Sequence, residues 1–125
     1  MTPEQLALSG SENAEQTALF CWAALNQIKY PPLKWMFAVP NGGFRFKREA
    51  GRLKAAGVKA GVPDVVLPYP IFKSAGLFIE MKKKGVGKLQ HNQGEWQQYL
   101  NSVGYRCEVC YGWQHAVKVI EEYLS

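Results

Sequence analysis

The sequence has little with which to cross-link itself. Its 125 residues hold three cysteines, Cys21, Cys107 and Cys110, too few for a disulfide framework or a four-ligand zinc site. That usage fits a reducing cytoplasm. Long hydrophobic runs are missing as well: the longest uninterrupted apolar stretch, Ala18 to Leu25, is far short of the ~20 residues that cross a bilayer, and no basic-then-apolar signal opens the chain. A soluble, unsecreted protein is expected. There is no internal repeat, no low-complexity tract, no nucleophilic serine motif and no Walker-type glycine loop, so serine-hydrolase and P-loop chemistries have no support. Acid is scarcer than base, ten residues against fifteen, giving a formal charge of +5 and a pI near 9.2. Such a balance favours a polyanionic partner, with nucleic acid the default.

What is present centres on residues 61 to 82. Gly61-Val62-Pro63-Asp64 leads into the apolar run Val65, Val66 and Leu67, and Leu77, Phe78 and Ile79 lead into Glu80-Met81-Lys82. Both carboxylates therefore fall on short buried strands, expected to pair antiparallel. Side chains alternate along a strand, so Glu80 and Lys82 project to one face and Met81 to the other. Taken alone, a Glu-x-Lys strand is most often an exposed ion pair. Here the two charges interrupt an apolar pattern, where an unpaired buried charge is costly, and a Pro-Asp precedes them on the neighbouring strand. Asp64 and Glu80 can ligate Mg²⁺ or Mn²⁺ beside a scissile phosphate, with Lys82 orienting a water or stabilising developing charge. The chemistry this suits is phosphodiester hydrolysis.

The length allows one domain with a core of two or three layers. Residues 1–10 have no clear period and are expected to form a loose leader, with the domain spanning 11–125. Ser9 or Ser11 caps a helix whose apolar face runs through Ala14, Ala18, Cys21 or Trp22, Leu25 and Ile28, until Pro31-Pro32 ends it. Glu12 and Glu15 sit in its first turn, where the helix dipole alone favours acids. Residues 35–39 form a short strand, broken at Pro40-Asn41-Gly42-Gly43, a segment that can offer backbone amides to a phosphate. A helix over 46–56 follows, with Leu53 and Ala56 inward and Gly57 as its stop. Arg45, Lys47, Arg48, Arg52, Lys54 and Lys59 make this region basic, and Lys83, Lys84 and Lys88 follow the second strand in a Gly- and Lys-rich loop. Two basic flanks around an acidic centre suit a nucleic-acid backbone.

A helix from His91 to Val103 presents Trp96, Tyr99, Leu100 and Val103 inward. Gln93 lies on the same side, so its amide either reaches the active site or caps its own helix. His91 reads as a surface residue. A last strand, 105–111, carries Cys107-x-x-Cys110 on opposite faces, which makes these thiols packing residues rather than a redox or zinc pair. A closing helix over 113–124 turns Ala116, Val117, Ile120 and Leu124 inward.

The chain resembles the VRR-NUC family, the virus-type replication and repair branch of the PD-(D/E)xK nucleases. The resemblance is carried by Ser11-Glu12 with Gln16, by Pro40-Asn41-Gly42-Gly43, by the run from Arg52 to Asp64, by Ile79-Glu80-Met81-Lys82, by Gln93 with Trp96, and by Gly104-Tyr105. It implies an α/β fold with a restriction-endonuclease-like core, a mixed central sheet of about four strands flanked by helices. It also implies Asp64, Glu80, Lys82 and Gln93 as the catalytic signature, and the backbone carbonyl of Met81 as a metal ligand. A further helix ligand follows from the same resemblance, Glu12 by its spacing to Gln16 and Glu15 in reserve. Stand-alone members of this size resemble phage or prophage proteins and homodimeric resolvases of branched DNA, so a four-way (Holliday) junction is the expected substrate. Flap cleavage, general DNA or RNA cleavage, and an inactive binding module are the alternatives.

Overall fold

The structure, a computed structural model, describes residues 1–40, 47–85 and 88–125, the side chains of 47–50 excepted. Four strands, β1 (Phe37–Ala38), β2 (Val65–Leu67), β3 (Leu77–Lys82) and β4 (Arg106–Tyr111), form one mixed sheet in the order β1-β2-β3-β4. The first two pairings are antiparallel and β3 with β4 is parallel. The expected α/β architecture is observed. Among the described residues there are five helices, α1 (Pro3–Leu6), α2 (Glu12–Leu25), α3 (Lys47–Ala55), α4 (His91–Ser102) and α5 (Trp113–Leu124), of which α2, α4 and α5 pack on the sheet. None is long and apolar enough to cross a membrane.

Alternation along β3 decides which layer each side chain joins. Leu77, Ile79 and Met81 enter the main core with Ala18, Leu19 and Ala23 of α2 and Ala116, Val119, Ile120 and Tyr123 of α5. Glu80 and Lys82 leave on the opposite face, towards α4. Parallel pairing requires a crossover, which α4 supplies. On β4, Cys110 is buried in the main core and Cys107 on the other face, so the two thiols are separated by the sheet as their spacing predicts. Burial pushes both thiols up to about 12, and a thiol held protonated is a poor nucleophile and ligand.

Several local expectations are corrected. Residues 1–10 are not a loose leader throughout: Thr2 and Gln5 form a reciprocal capping box, Pro3 occupies the first helical turn, and α1 packs on α2. The Thr2-Pro3-Glu4-Gln5 signal was present in the sequence, in a segment too short to show a period. Helix α2 stops at Leu25, three residues before Ile28, which is 99 % exposed together with a mostly exposed Leu25. A five-residue 3-10 helix, Pro31–Trp35, takes up the connection, and Trp35 stands in solvent. Ala56, Tyr99 and Val103 are likewise exposed, with no layer of the described residues above them.

Candidate active site

Three elements converge on the β3 face that points away from the main core. Asp64 ends the loop entering β2, and its Oδ2 accepts the Met81 backbone N–H across the strand pair at 2.8 Å. Glu80 and Lys82 lie one pleat apart on β3, 3 % and 4 % exposed. Gln93 comes from the first turn of α4 and stands between them: its Nε2 donates to Glu80 Oε2 at 3.0 Å, and its Oε1 accepts from Lys82 Nζ at 2.9 Å. The amide donates to the carboxylate with its nitrogen and accepts from the ammonium with its oxygen, so its orientation follows from its partners. The same Oε1 accepts the Gln90 backbone N–H at 2.9 Å. Gln93 therefore meets both of its sequence expectations, capping α4 while joining the two charged residues.

Glu80 is left unsatisfied. Its Oε1 is buried without a hydrogen-bond partner among the described residues. Burial, then the neighbouring Asp64 carboxylate, push its pKa up to about 9; Lys82 offsets this only in part, and Glu12 adds to it. An ionised Glu80 beside Asp64 would set two like charges together under α4, and a proton shared between the carboxyls relieves that. A divalent cation relieves it better, satisfying the orphan oxygen and both charges at once, and oxygen donors are what Mg²⁺ and Mn²⁺ take. The donor set present fits such an ion at Asp64 and Glu80. Among the described residues no group of three or more His, Cys, Asp or Glu side chains is gathered closely enough to hold a metal by itself, so water, backbone or substrate oxygens have to complete the shell.

The two acids of α2 part company. Glu15, kept in reserve as a ligand, is 2 % exposed and turned away from the site; its Oε1 accepts the Trp113 backbone N–H at 2.8 Å. It thus neutralises the N-terminus of α5, a partner 98 positions along the chain that no local spacing announces. Glu12 is exposed and acts on Glu80 through space. Arg52, Lys54, Lys59, Lys83, Lys84 and Lys88 are all exposed. Asn41, Gly42, Gly43, Arg45 and the Arg48 side chain lie outside the described residues.

Sequence reasoning missed what holds Asp64 and Gln93 in register. Gly61, at φ +83°, passes so close to α4 that a Cβ there would lie 2.9 Å from the Asn92 carbonyl carbon. One residue earlier, the Ala60 carbonyl accepts Trp96 Nε1–H at 3.1 Å. This clasp fixes the loop carrying Asp64 against the helix carrying Gln93. The Gly61-Val62-Pro63 and Trp96 positions were visible in the sequence, but nothing in it said that they meet.

A prediction follows from Glu80. Its folded pKa lies above its ordinary value of 4.5, so the native state holds a proton that the unfolded chain releases. The associated stability is complete below about pH 4.5 and is lost as pH rises towards 9, by at most about 1.4 kcal/mol per pH unit. In metal-free buffer the thermal midpoint should fall across this range. Excess Mg²⁺ or Mn²⁺ should raise it, more at pH 8.5 than at pH 5.5. A metal-induced shift independent of pH would count against a cation at Glu80.

A VRR-NUC domain model matches residues 12–114. Among solved structures, a VRR_NUC domain protein is similar, with a TM-score of 0.78 and 29 % identity over 91 % of this chain and 88 % of the other. No curated protein sequence matches significantly. The matched span contains the sheet, Asp64, Glu80, Lys82 and Gln93, and on that basis the chain belongs to the VRR-NUC family and carries a nuclease-type domain.

Proposed function

We propose that the protein is a Mg²⁺- or Mn²⁺-dependent DNA endonuclease that hydrolyses phosphodiester bonds at Asp64, Glu80 and Lys82, with four-way junctions as its preferred substrate. The observation that carries this reading is the buried Glu80 oxygen without a partner beside Asp64. A cation held by the two carboxylates, with the Met81 carbonyl as a further ligand and Glu12 adding negative charge from a distance, would supply polarisation of a phosphoryl oxygen and acidification of a water. Lys82 Nζ contributes positive charge where the attacking or leaving oxygen becomes negative. Gln93 keeps Lys82 from collapsing onto Glu80 and sets the distance between them. Asp64 is held by the Met81 N–H, so its second oxygen is the one that faces the reaction. The backbone of Asn41, Gly42 and Gly43 and the cations Arg45, Arg48, Arg52, Lys54, Lys83, Lys84 and Lys88 are the proposed phosphate contacts, which position the substrate without reading sequence.

Paired incision of a four-way junction by a chain with one active site is most simply made by two copies related by a two-fold axis. The proposed interface is the β2–β3 loop. Phe72 is fully exposed and Tyr69 is 43 % exposed, and residues 69–73 border a cleft of about 440 Å³ with residues 123–125 at the end of α5 and just beyond it. The Tyr123 hydroxyl donates to the Tyr69 carbonyl at 2.7 Å, which stiffens the loop base and leaves its apolar tip projecting. Three free cysteines, two of them buried, fit a protein of the reducing cytoplasm, in a bacterium or a phage-infected host. A stand-alone phage or prophage origin is part of the same reading.

The test is cleavage of linear, flapped and four-way DNA, and of RNA, with Mg²⁺, Mn²⁺ or EDTA. Metal-dependent paired incision of the junction is the expected result. Preferential cutting of flaps or RNA would replace the substrate assignment, and binding without cleavage would leave a nucleic-acid-binding module. Phe72→Glu should convert a dimer, followed by light scattering, into a monomer that nicks linear DNA normally but no longer cuts junctions in pairs. A monomeric parent that makes paired cuts would refute the interface.

A further inference from the structure

Beside the active site, α4 borders a second recess that the hydrolytic residues leave unused. Asn92, Glu95, Trp96 and Tyr99 recur at helical spacing and face Lys59 and Ala60 across an open cavity of about 550 Å³. The Trp96 ring is fixed by its bond to the Ala60 carbonyl. Tyr99, by contrast, is 58 % exposed, a flat apolar surface at the end of the recess.

Charge and shape select the occupant. A backbone phosphate would meet the Glu95 carboxylate, which is exposed and only loosely paired with His91 at 3.6 Å, against Lys59, the one lining cation among the described residues. A nucleobase suits the same surface: an aromatic face for stacking, an amide and a carboxylate for the hydrogen-bonding edge, and a lysine at the rim for the flanking phosphate. We propose that this recess binds one unpaired base of the substrate strand, stacked on Tyr99, next to the scissile phosphate. Continuity with the active site supports this, since Asn92 adjoins Gln93 and Ala60 precedes Asp64 by four residues. The recess runs along α4 for about 10 Å from Asn92 to Tyr99, placing the base one or two nucleotides from the cut. Bases inside a duplex stay stacked on one another and reach such a surface only after unpairing. The recess therefore favours substrates that already present an unpaired nucleotide near the scissile bond: a flap, a bulge or the opened centre of a junction.

The inference rests on the nuclease reading, and the experiment separates the two. Cut positions are first mapped on flapped DNA with the wild-type chain and Mg²⁺. Binding is then followed with the cleavage-deficient Glu80→Gln chain and flaps carrying 2-aminopurine at successive positions beside the cut. Quenching at a single position is expected, with Tyr99→Ala abolishing it and weakening flap binding about 10-fold. Tyr99→Phe should retain both. Affinity for blunt duplex and the slope of binding against salt should be unchanged in Tyr99→Ala, because phosphate contacts are untouched. Equal loss on flap and duplex, or quenching that survives Tyr99→Ala, overturns the base recess while cleavage by wild type continues. Failure of the wild-type chain to cut any nucleic acid removes the nuclease reading, and the recess with it.

Discussion

Glu80→Gln should lower cleavage by about 10³-fold or more at saturating Mg²⁺ while making the metal-free protein more stable than wild type above pH 7. Both effects come from one oxygen. Wild-type Glu80 has a buried Oε1 with no partner and a pKa raised to about 9 beside Asp64. A glutamine carbonyl can still accept from Gln93 Nε2, and its amino group can donate to Asp64 without the proton that wild-type Glu80 must take up on folding. What is lost is the negative charge that holds a cation, and about 4 kcal/mol of transition-state stabilisation corresponds to the stated rate. Asp64→Asn should behave similarly in activity. Lys82→Met should impair catalysis with little change in metal affinity, which separates its role from that of the two acids. Turnover of Glu80→Gln within tenfold of wild type would remove the two-carboxylate site from the mechanism, and a lowered melting point at pH 8.5 would contradict the electrostatic account of Glu80.

Gly61→Ala should be the most damaging conservative change outside the charged residues, lowering stability by about 2–5 kcal/mol and the melting temperature by roughly 10 °C or more. The backbone at Gly61 has φ +83°, and an added Cβ would lie 2.8 Å from Asn92 Cγ and 2.9 Å from the Asn92 carbonyl carbon. A side-chain tip could move aside, but a helix backbone cannot do so alone. The first turn of α4 has to shift, taking Gln93 away from Glu80 and Lys82, and activity should fall even in protein that remains folded at 20 °C. Gly57→Ala is the control. Its φ of +102° is equally left-handed, yet no atom of the described residues lies within 4 Å of its Cβ position, so only the backbone cost of about 1–2 kcal/mol applies. Equal melting temperatures for the two variants would show that contact with Asn92 does not brace the site.

Much of the site was legible because strand periodicity is local and strict. An alternation of two placed Glu80 and Lys82 on one face, the Pro-Asp entry marked Asp64 at the start of a buried run, and a helical stripe put Gln93 inward. Each inference used neighbours within a few residues, and the fold kept those relations. The helix faces were read less well. A period says which residues share a face, but not whether another layer covers it: periodicity turns Ile28, Ala56, Tyr99 and Val103 inward, whereas in the fold they stand in solvent. Helix α1 was hidden for a different reason: its single turn is stabilised by a capping box and by packing on α2, with too few residues for periodicity.

Local periodicity was enough to find the strand that bears Glu80 and Lys82 and the face these side chains take; Asp64, expected on a strand, instead ends the loop just before β2, where Pro63 precedes the paired run. Only the tertiary structure decided which acid of α2 lies near the site. Glu12 and Glu15 share a first turn and a residue class, and their roles diverge because the α5 N-terminus, far along the chain, packs where Glu15 can satisfy it. The meeting of Gly61 with Asn92, and of Ala60 with Trp96, is of the same kind. Contacts between distant segments depend on how whole layers dock, and no local spacing encodes that distance.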